Sequence, residues 1–147
     1  MHKDRLFRIL RIIGRWVPAL LLVLIFAPQG WSKFFDDSGW ATAFRHWGYP
    51  DWFRVTVGIT ELTAVVLLLL GRTAAFGALL VIVVMLGGMA THVIFDGGRH
   101  MTSEVVPLVL GSIVLAMRRQ QLSALLIRVR ALSTRDTGAA RGRAGVL

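Results

Sequence analysis

Four long apolar runs dominate the pattern of hydrophobic and polar positions, separated by short polar stretches. They lie over about Trp16–Phe35, Phe53–Leu70, Ala74–Phe95 and Thr102–Met117. Runs of about 16 to 22 residues fit helices crossing a hydrocarbon core of about 30 Å. The pattern therefore predicts an all-α, four-helix transmembrane bundle. Pro28-Gln29-Gly30 predicts a kink deep in the first run, because proline removes a backbone donor and crowds the preceding turn. The fourth run is the shortest, about 24 Å by helical rise, and should either cross with little tilt or thin the membrane locally.

Between the first two runs, Trp40, Phe44 and Trp47 recur at i, i+4 and i+7 and share a helical face. Ser38 is a plausible N-cap ahead of them. We read Ser38–Trp47 as a short interfacial helix in the first outer loop. It serves first as an aromatic belt at headgroup level, and in a sharper reading as a lid over a site.

Charge placement supplies the orientation. Five basic residues precede the first run (Lys3, Arg5, Arg8, Arg11, Arg15), and seven follow the last (Arg118, Arg119, Arg128, Arg130, Arg135, Arg141, Arg143). Arg72 occupies the tight turn between the second and third runs, and only Lys33, Arg45, Arg54 and Arg99 fall on the other side. The positive-inside rule places both termini and Arg72 in the cytoplasm. Residues 1–15 and 118–147 form basic segments, amphipathic through Leu6, Ile9, Leu10 and Ile13 and through Leu122, Leu125, Leu126, Val129 and Leu132. They suit interfacial helices on anionic lipid, and from about Ser133 the composition turns to that of a disordered tail. Residues 16–117 form the membrane domain. The first apolar run exceeds signal-peptide length, and the nearest small-x-small site lies far downstream, so it is expected to be retained.

Composition agrees with a small multi-pass membrane bundle. The 147 residues are 55% hydrophobic, with mean hydropathy +0.64 and net charge +9. The basic ends abut apolar spans, so lipid rather than nucleic acid is their expected partner. The chain has no cysteine, which removes disulfides, thiolate metal sites and thiol catalysis.

Candidate chemistry resides in the few polar residues within or beside the apolar runs. Glu61 is the only charge between Val55 and Leu70, about 12 Å from the outer end of its run. A carboxylate in hydrocarbon is costly and faces a bundle interior or wet cavity, with a partner. Lys33, His92 and Glu104 fall in the same outer half, and Lys33 with Glu61 makes a natural ion pair. Thr56, Thr60 and Thr63 could satisfy Glu61. Three readings of this cluster stand: structural glue between helices, a binding site for a polar headgroup, quinone or other lipophile capped by Trp40 and Trp47, and a proton or ion path. The path is weakest, since the inner halves of the runs carry no continuing relay. Met85, Met89 and His92 share a face, but one imidazole and two thioethers lack a second strong ligand unless His46 or His100 folds in. Haem, copper or another metal is not expected. No phosphate loop, nucleophile triad or glycosidase carboxylate pair is present, so an autonomous enzyme is not expected.

The chain resembles the DoxX-like family of small four-span membrane proteins. The resemblance rests on Gly30-Trp31-Ser32-Lys33-Phe34, Gly48-Tyr49-Pro50, Gly58-Ile59-Thr60-Glu61-Leu62, Leu69-Leu70-Gly71 and Met89-Ala90-Thr91-His92. Family members often carry glycines one turn after the glutamate, where this chain has Ala64 and Val65. The resemblance implies an accessory subunit, with family-typical positions at Lys33, Glu61 and His92. The family takes its name from a subunit associated with a thiosulfate:quinone oxidoreductase, so quinone and a membrane oxidoreductase are the implied ligand and partner. More distant relatives imply a chaperone-like scaffold as an alternative, and a small-molecule transporter component is a third.

Overall fold

The computed structural model describes residues 2–99 and 101–121, and all regular structure among them is helical. Helix α1 spans His2–Ser32, α2 Gly39–His46, α3 Asp51–Leu69 and α4 Ala74–Phe95; α5 covers 102–121. The side-chain faces expected for Leu6, Ile9 and Leu10 and for 122–132, the expected tail from 133, and His100 lie outside the described residues.

The apolar runs became helices with shifted ends. Helix α1 continues through both Pro18 and Pro28 without a break in its assignment and stops at Ser32, so Lys33, Phe34 and Phe35 belong to the following turn rather than to the helix. Helix α5 runs on past Met117 through Arg118 and Arg119, longer than the apolar run alone implied. The reason lies in its buried face: Glu104, Pro107, Gly111, Val114 and Arg118 recur every three or four residues and keep one side against the protein. Arg118 and Gln121 both donate to the Gly71 carbonyl, and Ala75 N–H donates to Gln121 Oε1. These bonds join the end of α5 to the α3–α4 turn.

Helix α2 is the short helix expected between the first two runs. Its N-cap is Ser38, whose hydroxyl oxygen accepts from Ala41 N–H at 3.3 Å, and satisfies one of the donors a helix start leaves open.

The apolar core fills one half of the molecule. Ala19, Leu22 and Phe26 of α1 meet Ala64, Val65 and Leu68 of α3, Ala74, Ala78, Val81 and Met85 of α4, and Val114 of α5. Alanine and glycine let the backbones approach. A Cβ on Gly77 would lie 2.8 Å from the Ala64 carbonyl oxygen, a separation only glycine permits. Toward α2 and the α4–α5 connection the packing turns aromatic, with Phe44, Trp47, Tyr49 and Phe53 in ring contact. There the polar residues gather.

Candidate functional site

The site begins where α1 meets α3. A Cβ on Gly58 would lie 3.0 Å from the Gly30 carbonyl oxygen, and one on Gly30 would lie 3.1 Å from Glu61 Cβ. This close approach brings Lys33, just past the end of α1, onto Glu61. Lys33 Nζ donates to both carboxylate oxygens, at 3.0 and 2.8 Å, and each side chain is 2% exposed. Trp40 covers the pair from α2, its ring centroid 3.8 Å from Lys33 Nζ. A buried ion pair needs such company, since desolvation offsets most of its Coulomb attraction; the aromatic face adds a cation–π contact.

Arg54 anchors the outer end of the same junction. It is 2% exposed and donates to the carbonyls of Lys33 and Phe35 and to Asp36, with Asp51 3.7 Å away. Its guanidinium thus satisfies carbonyls of the turn that follows α1. Sequence reasoning treated Arg54 only as an outer-side charge. Its phase with Gly58 and Glu61, at i, i+4 and i+7, was the signal that it faces inward.

A second polar centre joins α2, α4 and α5. His92 Nδ1 lies 2.6 Å from Asp96 Oδ2, one helical turn on. Trp47 Nε1 donates to the same carboxylate at 3.1 and 3.3 Å, and His46 Nε2 stands 3.6 Å from it. On the other side of the imidazole, Nε2 is 3.8 Å from Glu104 Oε1. Asp96, the C-cap of α4, is therefore a hub; its i+4 spacing from His92 is the sequence signal for it. The hydrogen bond from His92, reinforced by that from Trp47, holds the Asp96 carboxyl below its ordinary value. A carboxylate can only accept, so an ionised Asp96 fixes the His92 proton on Nδ1.

Between the two centres is a cavity of about 400 Å³. Lys33, Trp40, Trp47, Glu61, His92 and Glu104, the six residues singled out from sequence, all line it, together with Phe44, Tyr49, Phe53 and Thr91. Its volume falls in the range of small-molecule sites, which combine apolar walls with few polar groups. Glycine makes room for Glu104: a Cβ on Gly88 would sit 3.2 Å from its carboxyl carbon. Trp40, Trp47, His92 and Glu104 also line an adjoining cavity of about 350 Å³ that reaches His46 and Asp96. These four side chains separate the two spaces. The aromatic residues divide by direction. Trp40, Phe44, Trp47 and Tyr49 face the cavity, whereas Trp31 and Trp52 are 62% and 68% exposed.

Three expectations change. Thr56, Thr60 and Thr63 donate to the carbonyls of Trp52, Thr56 and Ile59 one turn back, as helical threonines commonly do, so none satisfies Glu61. Among the described residues, Lys33 does that. Of the methionine–histidine face, Met85 and His92 reach the cavity and Met89 is not among its lining residues. His46 does fold toward His92, but by way of Asp96, and no group suited to hold a metal ion occurs among the described residues.

Helices of this kind, two of them long and apolar enough to cross a membrane, around a sheltered Lys–Glu pair define an all-α protein of membrane type. The chain matches the DoxX-like family over residues 17–117, and it belongs to that family. No curated protein and no solved structure matches it.

Proposed function

We propose that this DoxX-like protein is a four-span subunit of a bacterial-type inner membrane that binds a small polar-headed lipophile, with a quinone the leading candidate, and serves a membrane oxidoreductase rather than acting alone. The observation that carries this reading is the cavity itself: about 400 Å³, walled by aromatic rings, with Glu61, His92 and Glu104 converging on it. A structural ion pair needs no such space beside it.

Membrane crossing is supported by which surfaces are apolar. Helices α3 and α4 carry hydropathic windows of which only 33% and 22% are buried inside the protein. Leu24, Val66, Val83 and Ile94 are among the large apolar side chains more than half exposed, and water is a poor solvent for so much apolar surface. Residues 16–32 form a further apolar helical stretch, and α5 completes four. The distribution of Lys and Arg supports both ends on the cytoplasmic side, with the cavity in the outer half and the basic ends on anionic lipid.

The test is binding. Trp40 and Trp47 line the cavity, so a short-tailed benzoquinone should quench tryptophan fluorescence of the detergent-solubilised protein saturably. Glu61→Gln should weaken that binding at least tenfold. Quenching that never saturates, or that Glu61→Gln leaves unchanged, contradicts the reading. A scaffold role is the second reading, favoured by the outward rings of Trp31 and Trp52 at the same end. In that case Trp31→Ala with Trp52→Ala would abolish a partner's co-purification, and quinone would not bind.

A further inference from the structure

We infer that the cavity selects the reduced, hydroxyl-bearing form of an aromatic lipophile over its oxidised, carbonyl form, with Glu104 as the specificity-determining acceptor. This deepens the ligand reading above and rests on it. The argument is an inventory of hydrogen-bond donors on the cavity wall.

Almost every side-chain donor there is committed within the protein. Lys33 spends two N–H bonds on Glu61 and sets its ammonium against the face of Trp40. Trp47 Nε1 is turned to Asp96, as is His92 Nδ1. Thr91 donates to the Gly87 carbonyl at 3.0 Å. Its single proton being spent, the 3.1 Å contact with Tyr49 must use the Tyr49 proton. Thr56 and Thr60 donate to their own helix. What remains to donate among the described residues is the third Lys33 N–H, which faces the Trp40 ring, the Trp40 indole N–H and the Gln29 amide, and the amide offers an acceptor as well.

Acceptors are in surplus. Glu104 presents two carboxyl oxygens, which together accept at about four positions when ionised. The His92 Nε2 stands 3.8 Å from Glu104 Oε1, beyond hydrogen-bond range. Gly88 lets the carboxyl lie against the α4 backbone while Glu104 still lines the cavity, and a Cβ on Gly87 beside it would meet nothing within 4 Å. Tyr49 Oη keeps its lone pairs. A hydroquinone brings two O–H donors to these acceptors. A quinone brings only acceptors of its own, and a site built to receive a hydroxyl binds the analogue lacking it more weakly.

The full chain in mild detergent, kept anaerobic, decides this by tryptophan quenching with three matched probes: a decyl-benzohydroquinone, the corresponding benzoquinone, and the hydroquinone's dimethyl ether. The expected result is hydroquinone binding about tenfold tighter than either other probe. That ratio corresponds to a positive shift of about 30 mV in the two-electron midpoint potential of the bound couple. Glu104→Gln, which replaces one acceptor oxygen by a donor, should bring the ratio within twofold. Equal binding of all three, or tighter binding of the quinone, overturns the selectivity while leaving the ligand reading intact. Failure of all three to bind overturns both. The comparison of hydroquinone with its ether needs no variant, so it stands even where Glu104→Gln does not fold.

Discussion

Lys33 Nζ sits 2.8 and 3.0 Å from the two carboxylate oxygens of Glu61, with 2% of each side chain exposed. The pair closes the α1–α3 junction at the point where the apolar core gives way to the cavity. Removing one partner strands the other's charge, whereas removing both relieves the desolvation cost. Glu61→Ala should therefore destabilise by about 3–5 kcal/mol, and Lys33→Met with Glu61→Leu should recover most of that. Thermal unfolding in detergent of the singles and the double measures it. A double variant as unstable as Glu61→Ala would mean that the pair does more than neutralise itself.

Asp96 ties α2 to α4, and its bonds give the tie a pH dependence. The hydrogen bond from His92, with that from Trp47, holds its carboxyl below the ordinary value of 3.8. A depressed carboxyl contributes stability that is complete above the unfolded value and is lost as pH falls through the lower folded value. Amide exchange in α2 should accordingly be insensitive to acid down to about pH 4, then accelerate below it. Asp96→Asn should speed exchange at neutral pH and flatten the acid response. Trp47→Phe, which removes one donor to that carboxylate, should speed exchange in the same direction.

Close packing of α3 on α4 predicts a sharp contrast between two glycines. A Cβ on Gly77 would lie 2.8 Å from Ala64 O and 2.9 Å from Leu68 N, both backbone atoms. Gly77→Ala should cost about 1–3 kcal/mol as overpacking. Gly87→Ala, with nothing within 4 Å of the new methyl, should be neutral or slightly stabilising through helix propensity. Denaturant or thermal melts of the two variants check it, and equal effects would refute the tight interface.

Much of the fold was legible because apolar runs and aromatic spacing report directly on helices. The expected third run, Ala74 to Phe95, coincides with α4, and the Ser38 cap of α2 was visible as a serine ahead of an i, i+4, i+7 face. The end of α5 was not, because Arg118 and Arg119 end the apolar run while the helix continues. Arg118 finds its partner in Gly71 O, 47 residues away, and no local pattern encodes that. The meeting of Lys33, Glu61, His92 and Glu104 followed from their shared depth. Asp96 and Arg54 were missed because charges beside a helix end read as solvated until the fold turns them inward. The threonines misled for the opposite reason: their hydroxyls answer to the nearest carbonyl in their own helix before any distant acid.

Photoaffinity mapping tests the central claim most directly. A benzoquinone carrying a diazirine on its ring, irradiated with the full chain in mild detergent and located by peptide mass spectrometry, should label cavity-lining positions such as Val84, Thr91 and Thr60. An unlabelled analogue should compete that labelling away. Label confined to the outward-facing Ile59, Val66 and Ile94, and untouched by competitor, would contradict a ligand site within the helices.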